Sequence, residues 1–407
     1  MSFLNDRRLH DYPRLFFFTV WSVMIINILF HRGWVGRFGG IIGVDFVGNY
    51  SGGLLYRNSI QNLYNIQAQA LLQQELFQPT PLGGTVNIFT HPPYAALAYS
   101  IMTYIPLVWA FCLWTFLSIF GSIFALMLIY KYILTTQVKN KISPLQLAII
   151  VFSSIPFVYG IFFGQSQSLT FLLITGIAIS MVYDRWYMAG ILAGMSIYKP
   201  HFIIGFLILW VVWRKYKSIL GFSLFVIPWV ALVIYQHGLN PYLAYLGVLD
   251  LVSKFANVEG ISWETTPYAL LGNIFQAESV TLTFLVLFSL LSLAGVGLAI
   301  YAYKNKSIQD RTTSVMLAIL FPYIVSPHIL IYDLLPITLL FALWSMINTS
   351  KKLLYLIIFI FLGTLALPVA TKFTGLALLA IIPLVILISL IIDLKKRQTL
   401  SLSEAMK

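Results

Sequence analysis

Runs of apolar residues recur along the chain from Leu15 to Asp393, separated by short polar or basic stretches. Each run is close to the roughly 20 residues that an α-helix needs to cross about 30 Å of hydrocarbon. The pattern predicts spans over residues 15–31, 107–131, 145–162, 167–182, 187–199, 201–213, 218–236, 280–302, 313–327, 331–348, 353–369 and 374–393. The expected architecture is an all-α, polytopic integral membrane protein of about twelve transmembrane helices, forming one domain over residues 1–407.

The segments at 187–199, 201–213 and 313–327 are short for a span and border proline breaks, Lys199-Pro200-His201 and Ser326-Pro327-His328. Irregular backbone at membrane depth survives only where protein buries it or a wet cavity receives it. These breaks therefore point to a cavity open to the outside. Two long external segments flank it in sequence. The first, 32–106, carries Gly39-Gly40, Gly43 and Gly52-Gly53, a polar helical stretch over 61–78, and an apolar piece at 94–105 that is too short to span. The second, 237–279, contains Trp263, Glu264, Tyr268 and Asn273.

Composition agrees with this class: 59% of residues are hydrophobic and only 9% are charged. The net charge of +12 does not indicate nucleic acid, because most of the 25 Lys and Arg residues fall on one side of the predicted map. That asymmetry is the positive-inside rule, and it orients both termini inward. The first apolar segment follows Arg7-Arg8 without a small-residue cleavage site, so it reads as an uncleaved anchor. The single cysteine, Cys112, excludes an intramolecular disulfide and reads as a buried filler.

Of the carboxylates, Asp45, Glu75, Asp250, Glu259, Glu264, Glu278 and Asp333 fall outside or at a break. Asp45 stands alone in Ile41-Ile42-Gly43-Val44-Asp45-Phe46-Val47-Gly48-Asn49-Tyr50, just beyond the first apolar segment. An acid near hydrocarbon is expensive, and its default reading is a functional site. The alternative for Asp45 is to cap a loop helix beginning at Phe46. No pair of histidines at ligand spacing and no Asp-x-Asp cluster occurs, so neither a metal nor a cofactor is expected.

Several motifs occur in a recognisable order. They are Asp45-Phe46 with Tyr50, Gly52-Gly53, Asn62-Leu63-Tyr64, Pro92-Pro93 ahead of an apolar run, Gly164-Gln165, Ala189-Gly190 through Lys199-Pro200, and Ser326-Pro327-His328. In order and spacing the chain resembles glycosyltransferase family 87, a group of membrane enzymes of the GT-C type. It departs from the family pattern at Asn49 and over residues 329–332. The resemblance implies transfer of a sugar, with mannose the commonest theme, from a polyprenyl monophosphate donor to a glycolipid or glycan acceptor. The setting implied is the extracytoplasmic side of a multi-pass plasma-membrane protein.

Under that resemblance Asp45 is the general base. A phosphate leaving group departs without needing a proton, so one base suffices, in contrast to the acid and base pair of glycoside hydrolysis. Lys199 and His201 flank a break where a cation can hold the donor phosphate; the alternative for Lys199 is snorkelling to the interface. His328 donates to the phosphate or orients the sugar, unless a backbone carbonyl satisfies it, and Asp333 is its partner or a sugar ligand. Tyr50 belongs to the same motif as Asp45. His91 is assigned to the cavity mouth and Arg57 to anionic head groups, with solvated loop roles as alternatives. Gln165 contacts sugar or makes a hairpin turn, and Trp263 stacks on a pyranose or anchors at the interface. The rival class is a lipid or sugar transporter, which also uses broken helices but places matching breaks in two halves.

Overall fold

In the computed structural model of the protein, the described residues are 7–78, 80, 87–255, 264–267, 269–270, 308–326, 328–347 and 351–405. The span expected over 280–302 lies outside them, as do Glu259, Trp263, Tyr268, Asn273, Glu278 and Pro327.

In chain order the helices are α1 (Arg8–Leu29), α2 (Val44–Asn58), α3 (Ile66–Leu76), α4 (Pro93–Ser100), α5 (Leu107–Leu128), α6 (Thr136–Lys139), α7 (Pro144–Phe152) and α8 (Ile155–Phe163). They continue with α9 (Gln167–Val182), α10 (Trp186–Met195), α11 (His201–Val212), α12 (Tyr216–His237) and α13 (Asn240–Phe255). The last are α14 (Ile308–Val325), α15 (Ile337–Ser345), α16 (Lys351–Thr374) and α17 (Ile381–Ala405). Among the described residues the remaining regular pairing is three isolated β-bridges. The protein is thus an all-α membrane protein.

Local chemistry explains many of the boundaries. Proline opens α4 and α7, sits in the first turn of α8 and precedes α5, where a missing N–H costs no helical bond. The Ser143 side chain accepts from Gln146 N–H at 3.2 Å and caps α7; Asn65 accepts from Ala68 N–H at 3.0 Å and caps α3. Gly164, with φ 72°, ends α8 in the left-handed region that glycine adopts without strain.

Among the described residues, four helical stretches are long and apolar enough to cross a membrane: His10–Leu29, Leu107–Ile133, Tyr216–His237 and Tyr355–Thr374. The apolar run at 145–162 is not one straight span. It is the pair α7 and α8, bent by 67° at Ser153-Ser154. Other apolar helices, including α9 and α11, run 10–17 residues. Cys112 is exposed on α5 rather than buried.

Close helix contacts are made at glycine. A methyl on Gly190 of α10 would sit 2.0 Å from the Ser218 carbonyl oxygen of α12, and one on Gly221 of α12 would sit 2.4 Å from that of Tyr187. Small residues allow such backbone approach where lipid gives helices little hydrophobic reason to associate. Gly205 does the same for α11 against α14, 2.5 Å from the Ala318 carbonyl oxygen. The largest buried cluster joins α5, α8, α9, α11, α14, α15 and α17. Its members include Phe202 and Ile203 just after the first break and Val325 and Ile329 on either side of the second.

Candidate active site

The site begins at α2. Gly43, with φ 70°, occupies the cap position, and its N–H donates to the Phe162 carbonyl of α8 at 2.9 Å. Asp45 lies in the first turn and makes no capping bond. The capping reading is therefore excluded, and the carboxylate is left at the positive end of the helix dipole. Along α2, Gly48 approaches the Asn87 backbone, Gly52 the Phe89 ring and Gly53 the backbone of Tyr99 and Ser100, each within 3 Å of an added methyl. The segment at residue 87 is drawn close enough that the Asn87 amide donates to Asp45.

On the other side lies the turn between α8 and α9. Gln165 Nε2 donates to the Tyr332 hydroxyl at 2.9 Å, its Oε1 lies 3.5 Å from Lys199 Nζ, and its side chain also bonds Asp45. Lys199 sits between α10 and α11. Its ammonium contacts Asp333 Oδ1 at 2.6 Å, with both side chains less than a tenth exposed. The Asp333 carbonyl accepts from the Tyr323 hydroxyl at 2.6 Å, anchoring the short turn Ile331–Leu334 to α14.

His328 bonds Glu264, which is wholly buried and comes from the second external segment. His91 Nδ1 meets the Tyr198 carbonyl at 3.0 Å, while the His91 carbonyl accepts from Tyr64 at 2.7 Å. His201 opens α11 with its ring 4.5 Å from that of Phe202, and its Nε2 is buried without a partner. His201 also lies within electrostatic reach of Lys199, His328 and His91.

Asp45, Gln165, Lys199, Asp333, His328, His91 and His201 therefore share one neighbourhood. Tyr50 and Arg57 do not make contacts there. The Tyr50 hydroxyl donates to the Ile105 carbonyl at 2.9 Å. Arg57 bonds the Thr103 hydroxyl at 2.8 Å and lies over the Tyr104 ring at 3.9 Å. The reason is helical phase: at 3.6 residues per turn, Tyr50 and Arg57 are rotated about 140° and 120° from Asp45. Sequence reading passed over Asn87 and Tyr332 as site residues and placed Glu264 among the carboxylates outside or at a break. All three pair over long sequence distances, and nothing local marks them.

Charge differs from group to group. Burial raises the Asp45 carboxyl from 3.8 to about 6, with Gln165 and Lys199 pulling down and Asp333 pushing up. Burial lowers the His91 imidazole to about 4, and the Lys199 charge adds to this, so His91 is neutral. Among the described residues no three His, Cys, Asp or Glu side chains are grouped to hold a metal ion. Beside the cluster an apolar cavity of about 180 Å³ is lined by Tyr99, Trp114, Leu169, Tyr198, Phe225 and Trp229, among others. Tyr198 and Tyr99 connect the two regions, since both pack against His91.

A helical membrane protein whose breaks gather a part-exposed acid, a buried ion pair and an adjoining apolar cavity has the parts for chemistry on an amphipathic substrate. The model of glycosyltransferase family 87 matches residues 89–327, more than half of the chain, so the protein belongs to that family. The matched region contains His91, Gln165, Lys199, His201 and Glu264, while Asp45, His328 and Asp333 flank it. No curated protein and no solved structure matches the chain.

Proposed function

We propose that this glycosyltransferase moves a hexose, mannose first among candidates, from a polyprenyl monophosphate to an extracytoplasmic glycolipid or glycan, with Asp45 as the general base. The observation that carries this reading is the unequal state of the carboxylates gathered around Lys199 and His328. Asp333 is committed to Lys199 and Glu264 to His328, both buried. Asp45 is partly exposed and held by amides rather than by a cation. A carboxyl near 6 is mostly ionised at neutral pH and basic enough to take a proton, which suits a catalytic base.

In the proposed step the acceptor oxygen bonds the anomeric carbon as its proton passes to Asp45. The bond from that carbon to the phosphate oxygen breaks, and the phosphate leaves with the electron pair. Attack and departure on opposite faces give inversion. Lys199 and His328 are the cations available to the oxygen on which charge develops. The apolar cavity beside them suits an isoprenoid chain, because it is lined almost wholly by apolar and aromatic surface.

The test is to purify the protein in detergent, supply mannosyl, glucosyl or arabinosyl polyprenyl phosphate with a glycolipid acceptor, and measure released polyprenyl phosphate. Donor-dependent release with one of these sugars is expected. Absence of release with all three would overturn the donor assignment.

A further inference from the structure

Glu264 is the least expected member of the cluster. Its backbone pairs with Leu330 in an antiparallel bridge, and Thr265 binds the Ile329 carbonyl through both its N–H and its hydroxyl, each at 2.9 Å. These contacts pin residues 264 and 265 to the stretch that follows α14. The Glu264 carboxylate is thereby fixed against the break: Oε2 accepts from Ile329 N–H at 3.3 Å, and Oε1 engages Nδ1 of His328.

The two side chains are unequally exposed. Glu264 has no accessible surface, whereas the His328 side chain retains 39%. With Nδ1 occupied, the Nε2 edge of the ring is the one left for a ligand. A buried carboxylate without a counter-charge costs several kcal/mol, so this placement calls for a protonated ring. The other charged or titratable groups near His328 are Asp333 on the following turn, Lys199 between α10 and α11, and His201 at the start of α11. Burial alone lowers the His328 imidazole, but the Glu264 carboxylate outweighs it and holds the ring above its ordinary value.

Resting on the phosphate leaving group of the preceding section, we infer that Glu264 is a positioning residue: it orients the His328 ring through Nδ1 and keeps it an imidazolium, whose Nε2–H faces the departing phosphate. The arrangement complements Lys199, whose ammonium is already matched by Asp333. No bond is made or broken at His328, and its proton stays on the ring. The segment carrying Glu264 thus reports its own docking to the phosphate site, because without that docking the ring loses its counter-ion.

Two measurements on the full chain test this. Diethylpyrocarbonate modifies only neutral imidazole, so its reaction at His328, followed by mass spectrometry across pH, reads the ring's charge without any turnover. Glu264→Gln keeps an acceptor for Nδ1 but removes the charge. It is expected to speed modification on the acid side of both midpoints, about tenfold for each pKa unit the ring falls, and to raise the donor KM above pH 7 while leaving the acceptor KM unchanged. In the double variant Glu264→Gln/His328→Gln, donor use should fall no further than in His328→Gln alone.

An unchanged modification rate in a variant that retains its thermal midpoint would overturn the inference, as would additive losses in the double variant. If Glu264→Gln does not survive purification, the intact protein decides: a modification midpoint below 6.5, the ordinary histidine value, overturns the pairing. A shifted modification profile with an unchanged donor KM would overturn the phosphate contact at His328, while the donor assignment would still be decided by polyprenyl phosphate release.

Discussion

Asp333 and Asp45 lie within electrostatic reach of each other in contrasting company. Asp333 meets the Lys199 ammonium at 2.6 Å, buried with it between helices, whereas Asp45 is held by the amides of Asn87 and Gln165. An ammonium fixes a carboxylate and cancels its charge together; an amide fixes it and leaves the charge in place. The first arrangement builds a scaffold, and the second leaves a group free to exchange a proton. If Asp45 is the base, as proposed, proximity to a cation is a poor guide to the reactive acid in this site.

The sharpest way to break that contrast is Asp45→Asn. It is expected to lower transfer by about 10²–10⁴-fold, the usual worth of a general base, measured as polyprenyl phosphate release. Asp184→Asn, at the exposed pair with Arg311, should leave transfer unchanged. Comparable losses in the two variants would remove Asp45 from the chemistry. The Lys199–Asp333 pair should behave in the opposite way, with stability as the first casualty. Lys199→Met alone leaves a buried unpaired carboxylate and should cost about 3–5 kcal/mol, while Lys199→Met with Asp333→Leu should regain most of it. Thermal unfolding in detergent reads this, and donor use should be lost in both variants.

A smaller effect is expected in the pH profile. With Asp45 near 6, kcat/KM should climb through that pH and fall about tenfold per unit below it. Asn87→Ala removes a donor that favours the charged form, so the same limb should move to higher pH. Linkage fixes the sign for stability. The folded carboxyl lies above its ordinary 3.8, so its stabilising contribution is complete below 3.8 and is lost as pH rises through about 6. Asp45→Asn should accordingly melt at or above the unaltered protein at pH 8 while being inactive. A lower midpoint there would mean that the charged form is favoured by the fold.

Much of the helical framework was legible because apolar length is a local property. The runs at 107–131, 167–182 and 218–236 correspond to α5, α9 and α12, and the break at Lys199-Pro200 falls between α10 and α11. The break inside 145–162 passed as mid-span because Ser153-Ser154 and Pro156 are three residues in a mostly apolar run, although Pro156 sits in the first turn of the new helix α8. The convergence of Asp45, Lys199 and His328 was legible only through the order of family motifs. Tyr50 was grouped with Asp45 because nearness in sequence conceals rotation around α2. Asn87 and Glu264 carry no local mark, since each gains its role from a partner 42 or 64 residues away.

The glycine face of α2 has a further consequence. At Gly48, Gly52 and Gly53 the helix meets its neighbours with no side chain of its own in between, which leaves it little room to tilt or slide to suit a bulkier guest. The acid is mounted on a helix held by close contacts along its length. Variety among acceptors must then be met by remodelling the opposite wall, and the enzyme can change its clientele while its reacting centre stays where it is.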